Sequence, residues 1–272
     1  MSSQQARAGQ QKEAVVRSIN FQGIKVTYDT YGTGNQALVF VHGWTCSKAL
    51  WLYQDPLYTK HRSILIDLPG HGDSDKPSNA DYNLELFARS VGAVIQAEGI
   101  CRAVLIAHSM GGPISTMLLR LFPGVVAGIV YLDSFWQMPE SYLTMAERRE
   151  LGAHRFEDIN FISKVNELFA DSTPSSVRDM VRGVMMATPR HVRVSACTTE
   201  SQPHALPWET TFAIPALQLA APGATTDGYW HHHMPRLEVR ELSGVGHFLF
   251  MEDAKRVNAE VEYFLIENKL LV

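Results

Sequence analysis

A serine hydroxyl becomes a useful nucleophile only when a neutral imidazole takes its proton, and two places in this chain suit those two roles. Ser109 closes the apolar run Val104-Leu105-Ile106-Ala107-His108 and is followed by Met110-Gly111-Gly112. Ala107 and Gly111 flank it at two residues either side. Such small neighbours are what a sharp strand-to-helix turn needs when it lifts a serine out on strained backbone, the arrangement known as a nucleophile elbow. Pro113 suits the first turn of the helix that must follow, since its missing N–H costs nothing there.

The matching base is His247 in Gly244-Val245-Gly246-His247-Phe248, because glycines on both sides free the loop to present the imidazole. Two rivals among the 11 histidines are weaker. His71 sits in Asp67-Leu68-Pro69-Gly70-His71-Gly72-Asp73-Ser74, a compact turn that reads as scaffold. His231-His232-His233 are adjacent, so their side chains diverge, and no carboxylate or cysteine completes a ligand set. No metal and no cofactor is expected. A third loop, His42-Gly43-Trp44-Thr45-Cys46, lets the backbone turn at glycine so that the Trp44 N–H faces a cavity. With the N–H of Met110 it would give two donors for a developing oxyanion.

These loops need a frame, and the chain supplies alternating strand and helix signals. Val15 to Phe21 and Ile24 to Tyr31 read as a hairpin around Gly23. The runs at Ala37 to Val41, Ser63 to Ile66, Ala103 to Ile106, Gly128 to Leu132 and Ala216 to Leu219 lack alternation, as strands buried on both faces do. Helical periods at Asn83 to Ala97 and Ile114 to Phe122 lie between several of them, and a last helix is expected over Asp253 to Asn268. Strand-helix alternation implies a parallel sheet with right-handed crossovers. About eighty residues of mostly helical pattern separate Leu132 from Ala216, far beyond what one crossover needs, so a helical lid is expected there. The division is an arm over 1–14, a core over 15–133 and 212–272, and a lid over 134–211.

Composition narrows the partners. The chain has 272 residues, 46% of them hydrophobic, and a formal charge of -4. That is enough for one sizeable core and offers no basic face for nucleic acid. Met1 to Lys12 contains no apolar stretch for a signal or a membrane span. Cys46, Cys101 and Cys197 are few and odd in number, so a disulfide framework is not expected and a cytoplasmic setting is. The partner expected is a small, largely apolar molecule, with no nucleic acid and no membrane, and with a homodimer as the one assembly left open.

Taken together, His42-Gly43-Trp44, Asp67-x-Pro-Gly-His-Gly-x-Ser74, Ala107-His-Ser109-Met-Gly111 and Gly246-His247-Phe248 resemble the α/β-hydrolase family from Val15 onward, in family order. The resemblance implies a mostly parallel eight-stranded sheet with a helical lid between strands six and seven. It also implies Ser109 as nucleophile, His247 as base, and Trp44 and Met110 as oxyanion donors. The family's third member, an acid, has two candidates. Most relatives carry it after strand seven, where this chain reads Ala224-Thr225-Thr226-Asp227, with the aspartate about three residues late. Some carry it after strand six, where Asp133 stands. A strand end holds a carboxylate more stiffly than a loop tip, so Asp133 is preferred and Asp227 kept as its rival.

The lid is rich in aromatic and methionine side chains suited to an adaptable apolar pocket, with Trp136 and, beside the serine, His108 as the expected substrate contacts. The function this favours is a serine esterase or lactonase working through an acyl-enzyme. Two alternatives share the frame. One is a cofactor-free dioxygenase, which the Gly43-Trp44 and Asp133 to Trp136 stretches also resemble and in which the His and Asp deprotonate an aromatic hydroxyketone. The other is a small-molecule binding protein without catalysis.

Overall fold

The computed structural model describes residues 13–134, 158–198, 210–223 and 228–271. Eight strands form one sheet: β1 (Val15–Phe21), β2 (Ile24–Tyr31), β3 (Gln36–Val41), β4 (Ser63–Ile66), β5 (Arg102–His108), β6 (Val126–Leu132), β7 (Ala216–Ala220) and β8 (Leu237–Glu241). Their order is β1-β2-β4-β3-β5-β6-β7-β8. The β2 strand runs antiparallel to β1 and β4, and every other pairing is parallel.

Both faces of the central strands are covered, which explains their unbroken apolar runs. Side chains alternate between two cores. Ala37, Val39 and Val41 of β3 face one cluster, which includes Phe87, Ile114 and Leu118. Leu38 and Phe40 face the other, with Trp51, Phe248 and Phe264. After the short α1 (Asp55–Tyr58), α2 (Leu84–Ala97) and α3 (Gly111–Leu121) close the first core, and the last helix (Ala254–Glu267) closes the second. Each end of that last helix is held by a local bond: Asp253 accepts from the Arg256 N–H, and the Asn268 side chain bonds the Phe264 carbonyl. Asn83 caps α2 in the same way, accepting from the Leu86 N–H.

Between β6 and β7 the chain inserts three described helices, Asp158–Asn166, Ser175–Ala187 and Arg190–Thr198. This segment bonds directly to the loops of the sheet's carboxyl end. Thr188 Oγ1 donates to the Thr45 carbonyl at 3.0 Å, and the Trp44 indole donates to the Arg193 carbonyl at 3.1 Å. On the other flank, the His247 N–H donates to Leu168 O at 3.3 Å and Ser172 Oγ to Gly244 O at 3.0 Å. Arg193, 3% exposed, donates to Thr188 O and Met186 O and lies over the Phe161 ring. Among the described residues no helix is long and apolar enough to cross a membrane.

Candidate active site

Parallel strands deliver their carboxyl ends to one edge of the sheet, and ligands bind in the crevice outside that edge. Ser109 stands there, one residue past β5, with φ at +51°. A non-glycine residue in the left-handed region costs of order 1 kcal/mol or more and needs surrounding structure to hold it. Here the Ser109 N–H donates to Leu132 O at 3.2 Å, and its carbonyl accepts from Gly112 N at 2.9 Å and from Ser134 Oγ at 2.5 Å. The small neighbours are sterically required. A Cβ on Gly111 would lie 2.3 Å from the Val41 carbonyl oxygen, and one on Gly43 would lie 3.0 Å from Ser109 Cβ. Helix α3 begins at Gly111 with Met110 as its N-cap, so the Met110 N–H lies outside the helical ladder at its positive end.

Asp133 follows β6 directly, also in the left-handed region at φ +41°. Its main chain is pinned by donation to Leu219 O at 2.7 Å. Its carboxylate is fully engaged: Oδ1 accepts from the Ala221 N–H at 2.8 Å and Oδ2 from His247 Nδ1 at 2.6 Å. A carboxylate can only accept, so this contact puts the imidazole proton on Nδ1 and leaves Nε2 as the bare, basic nitrogen. The two side chains are only 20% and 14% exposed, so water screens the contact weakly.

The His247 loop is tied on every side. Glu252 Oε2 accepts from the Gly246 N–H at 2.7 Å, and His108 Nε2 bonds the His247 carbonyl at 3.0 Å. The His108 and His247 rings lie 4.7 Å apart. Because His108 immediately precedes Ser109, these contacts bring the loop that carries the imidazole, which follows β8, against the ends of β5 and β6 where Ser109 and Asp133 stand.

His42 and His71 are buried in the scaffold. His42 donates through Nδ1 to Gly43 O and accepts at Nε2 from Leu68 N. His71 donates to Pro69 O and accepts from Thr45 N. Both rings are spent on cross-linking two loops, and burial pushes them down to about 4 and about 3 respectively, so both are neutral. The Thr45 and Cys46 N–H groups are likewise consumed, the first by His71 of the neighbouring loop and the second by Gly43 O.

One expected contact is placed differently. The His108 side chain is 1% exposed and packed against Phe248 and Phe250, so it lies behind the cleft wall rather than on it. A strand alternates its side chains, and the residue before an outward serine turns into the core. Trp136 and Asp227 lie outside the described residues. Ser134, the Ala221 amide and Glu252 were not singled out from the sequence, and no local pattern marks a residue whose partner stands far along the chain.

Comparison with known proteins agrees with this architecture. A model of the alpha/beta hydrolase family matches residues 38–260. The chain is similar to the dihydrolipoyllysine-residue acetyltransferase component of an acetoin cleaving system from Pseudomonas putida, 29% identical over 88% of this chain and 65% of that protein. It therefore spans less than two thirds of that relative's length. Among solved structures it is similar to an esterase from Thermogutta terrifontis, with a TM-score of 0.79, 21% identity, and coverage of 93% of this chain and 99% of that one. An N-acyl homoserine lactone degrading enzyme superposes with a TM-score of 0.74 at 24% identity, covering 91% of this chain and all of the other. Identities this low speak for the fold alone. With a family model spanning most of its length and the eight-stranded sheet to match, this chain belongs to the alpha/beta hydrolase family.

Proposed function

We propose that the protein is a serine hydrolase that cleaves a carboxylic ester or lactone of a medium-sized, largely apolar molecule. The observation that carries this reading is the 2.6 Å contact from His247 Nδ1 to Asp133, beside a strained serine at a helix N-terminus. In the reaction, His247 Nε2 takes the Ser109 Oγ proton while Oγ attacks the carbonyl carbon. The resulting oxyanion is met by the N–H groups of Trp44 and Met110, each of which is worth on the order of 100-fold in rate. Collapse breaks the bond to the leaving oxygen, which receives the proton from His247. Water, deprotonated by the same nitrogen, then attacks the acyl carbon; the bond from that carbon to Ser109 Oγ breaks, Oγ takes the proton back from His247, and the acid is released.

An apolar substrate suits the aromatic side chains near the loops, Trp44 against Phe161 and Phe169 against Phe248. The names of two structural relatives, an esterase and a lactone-degrading enzyme, point the same way. The thiols of Cys46 and Cys101 are unpaired, which suits a cytoplasmic setting. The test is hydrolysis of p-nitrophenyl esters of graded chain length and of an acyl lactone. Wild type should turn over, and Ser109→Ala and His247→Ala should each lose turnover by several orders of magnitude. Undiminished turnover in Ser109→Ala would overturn the reading.

A second reading is favoured by the place of Asp133 after β6, which is where the cofactor-free dioxygenases carry theirs. There the same dyad deprotonates an aromatic hydroxyketone and Ser109 only positions it, so Ser109→Ala would keep its activity.

A further inference from the structure

We propose that His108 is a positioning residue, which locks the His247 loop, the elbow and the loop after β3 into one register. It touches all three. Its own backbone ends β5 at the elbow, and its Nε2 bonds the His247 carbonyl at 3.0 Å. Its Nδ1 lies against Gly43, where an added Cβ would stand 2.9 Å away. A carbonyl only accepts, so the ring proton sits on Nε2, and Nδ1 is a bare acceptor. That atom is buried and has no hydrogen-bond partner among the described residues.

A buried acceptor without a donor is costly, and most buried polar atoms in proteins avoid that state. The surroundings, Phe248 and Phe250 with ring centroids 5.1 and 4.8 Å away, would accept a phenylalanine in its place. Packing therefore gives no reason for an imidazole here. The bond to His247 does. It holds the carbonyl of the residue whose N–H is held by Leu168 and whose ring is held by Asp133, so the imidazole is fixed at three points. Burial, then the neighbouring His247, keeps His108 well below the usual histidine range. A neutral ring 4.7 Å away adds no repulsion when His247 takes up a proton during turnover. The same ring explains Gly43, since any side chain there would collide with it.

The role rests on His247 being the base, and the test separates the two claims. His108→Phe keeps an aromatic ring among the same neighbours and removes the donor, whereas His108→Gln offers an N–H at the same reach. On p-nitrophenyl butyrate, His108→Phe should lower kcat on the order of 10- to 100-fold, since displacement of a reacting group by about 1 Å has effects of that size. KM should change by less than about twofold, and the melting temperature should not fall. The downfield proton resonance of His247 Nδ1–H should broaden or vanish in His108→Phe. His108→Gln should restore that resonance and bring kcat back to within about fivefold of wild type. If His108→Phe keeps kcat and the resonance, or if Gln fails to rescue a folded variant, the proposal is overturned. If wild type lacks esterase turnover, the hydrolytic reading fails, and the resonance alone decides whether His108 positions the imidazole.

Discussion

Replacing Asp133 with asparagine tests the proposed acid more cleanly than any deletion. The backbone at φ +41° tolerates asparagine, one of the few side chains at home in the left-handed region. The new Oδ1 still accepts the Ala221 N–H that bonds the carboxylate at 2.8 Å. The fold should therefore survive with a loss of less than about 1 kcal/mol. The other oxygen becomes an NH2 group facing His247 Nδ1 across 2.6 Å. Two donors cannot share that gap, so the imidazole must move its proton to Nε2, the nitrogen that has to take the serine's proton. In the best-characterised triad, forcing the wrong tautomer in this way costs about 10,000-fold in kcat, or roughly 5 kcal/mol of transition-state stabilisation. The assay is initial-rate hydrolysis of a p-nitrophenyl ester by Asp133→Asn and Asp227→Asn, with circular dichroism to confirm folding. Asp133→Asn should be almost inactive and Asp227→Asn close to wild type. An active Asp133→Asn, or inactivity confined to Asp227→Asn, refutes the reasoning.

Two other expectations follow from the same geometry. Gly111→Ala puts a methyl group 2.3 Å from a β3 carbonyl that cannot retreat without breaking the sheet. It should cost about 1–3 kcal/mol of stability and displace the elbow, so both melting temperature and kcat should drop, and an unaltered variant would contradict the packing account. The buried histidines give the pH response its sign. His42 and His71 are held at about 4 and about 3 in the fold and return to about 6.5 when it opens, so below pH 6.5 the unfolded chain binds more protons and stability is lost as pH falls. The pair should cost roughly 3–4 kcal/mol between pH 7 and pH 5. Urea midpoints across that range should slope accordingly in wild type and less in His71→Gln, and equal slopes would show that burial does not hold His71 neutral.

Much of this site was legible because its residues sit in short segments with local steric demands. Ser109 announces itself through Ala107 and Gly111, and the Ser63–Ile66 strand was read with its true bounds because both of its faces are buried. The boundaries slipped where side chains stop being apolar. β5 runs from Arg102 to His108, beyond the apolar run Ala103 to Ile106, whereas α3 starts at the elbow with Pro113 in its first turn, as the sequence leads one to expect, ahead of the periodic stretch from Ile114. Glycine and proline are poor helix formers, and only the elbow's tertiary setting commits them to the first turn. Asp133 was preferred for the stiffness of a strand end, and the bonds to Ala221 and His247 give that stiffness its physical form. Those partners stand 88 and 114 residues away, beyond any local pattern. His108 is a like case: its nearness in sequence to the serine suggests a substrate contact, whereas the bond its ring makes is to a carbonyl 139 residues on.

The central claim is that His247 makes Ser109 Oγ an attacking oxygen, and a fluorophosphonate probe measures that directly. Incubation with the probe followed by peptide mass spectrometry should find one phosphonate on Ser109, formed rapidly in wild type and on neither Ser109→Ala nor His247→Ala. A folded wild-type protein whose Ser109 stays unmodified under conditions that label a known serine esterase would contradict the account.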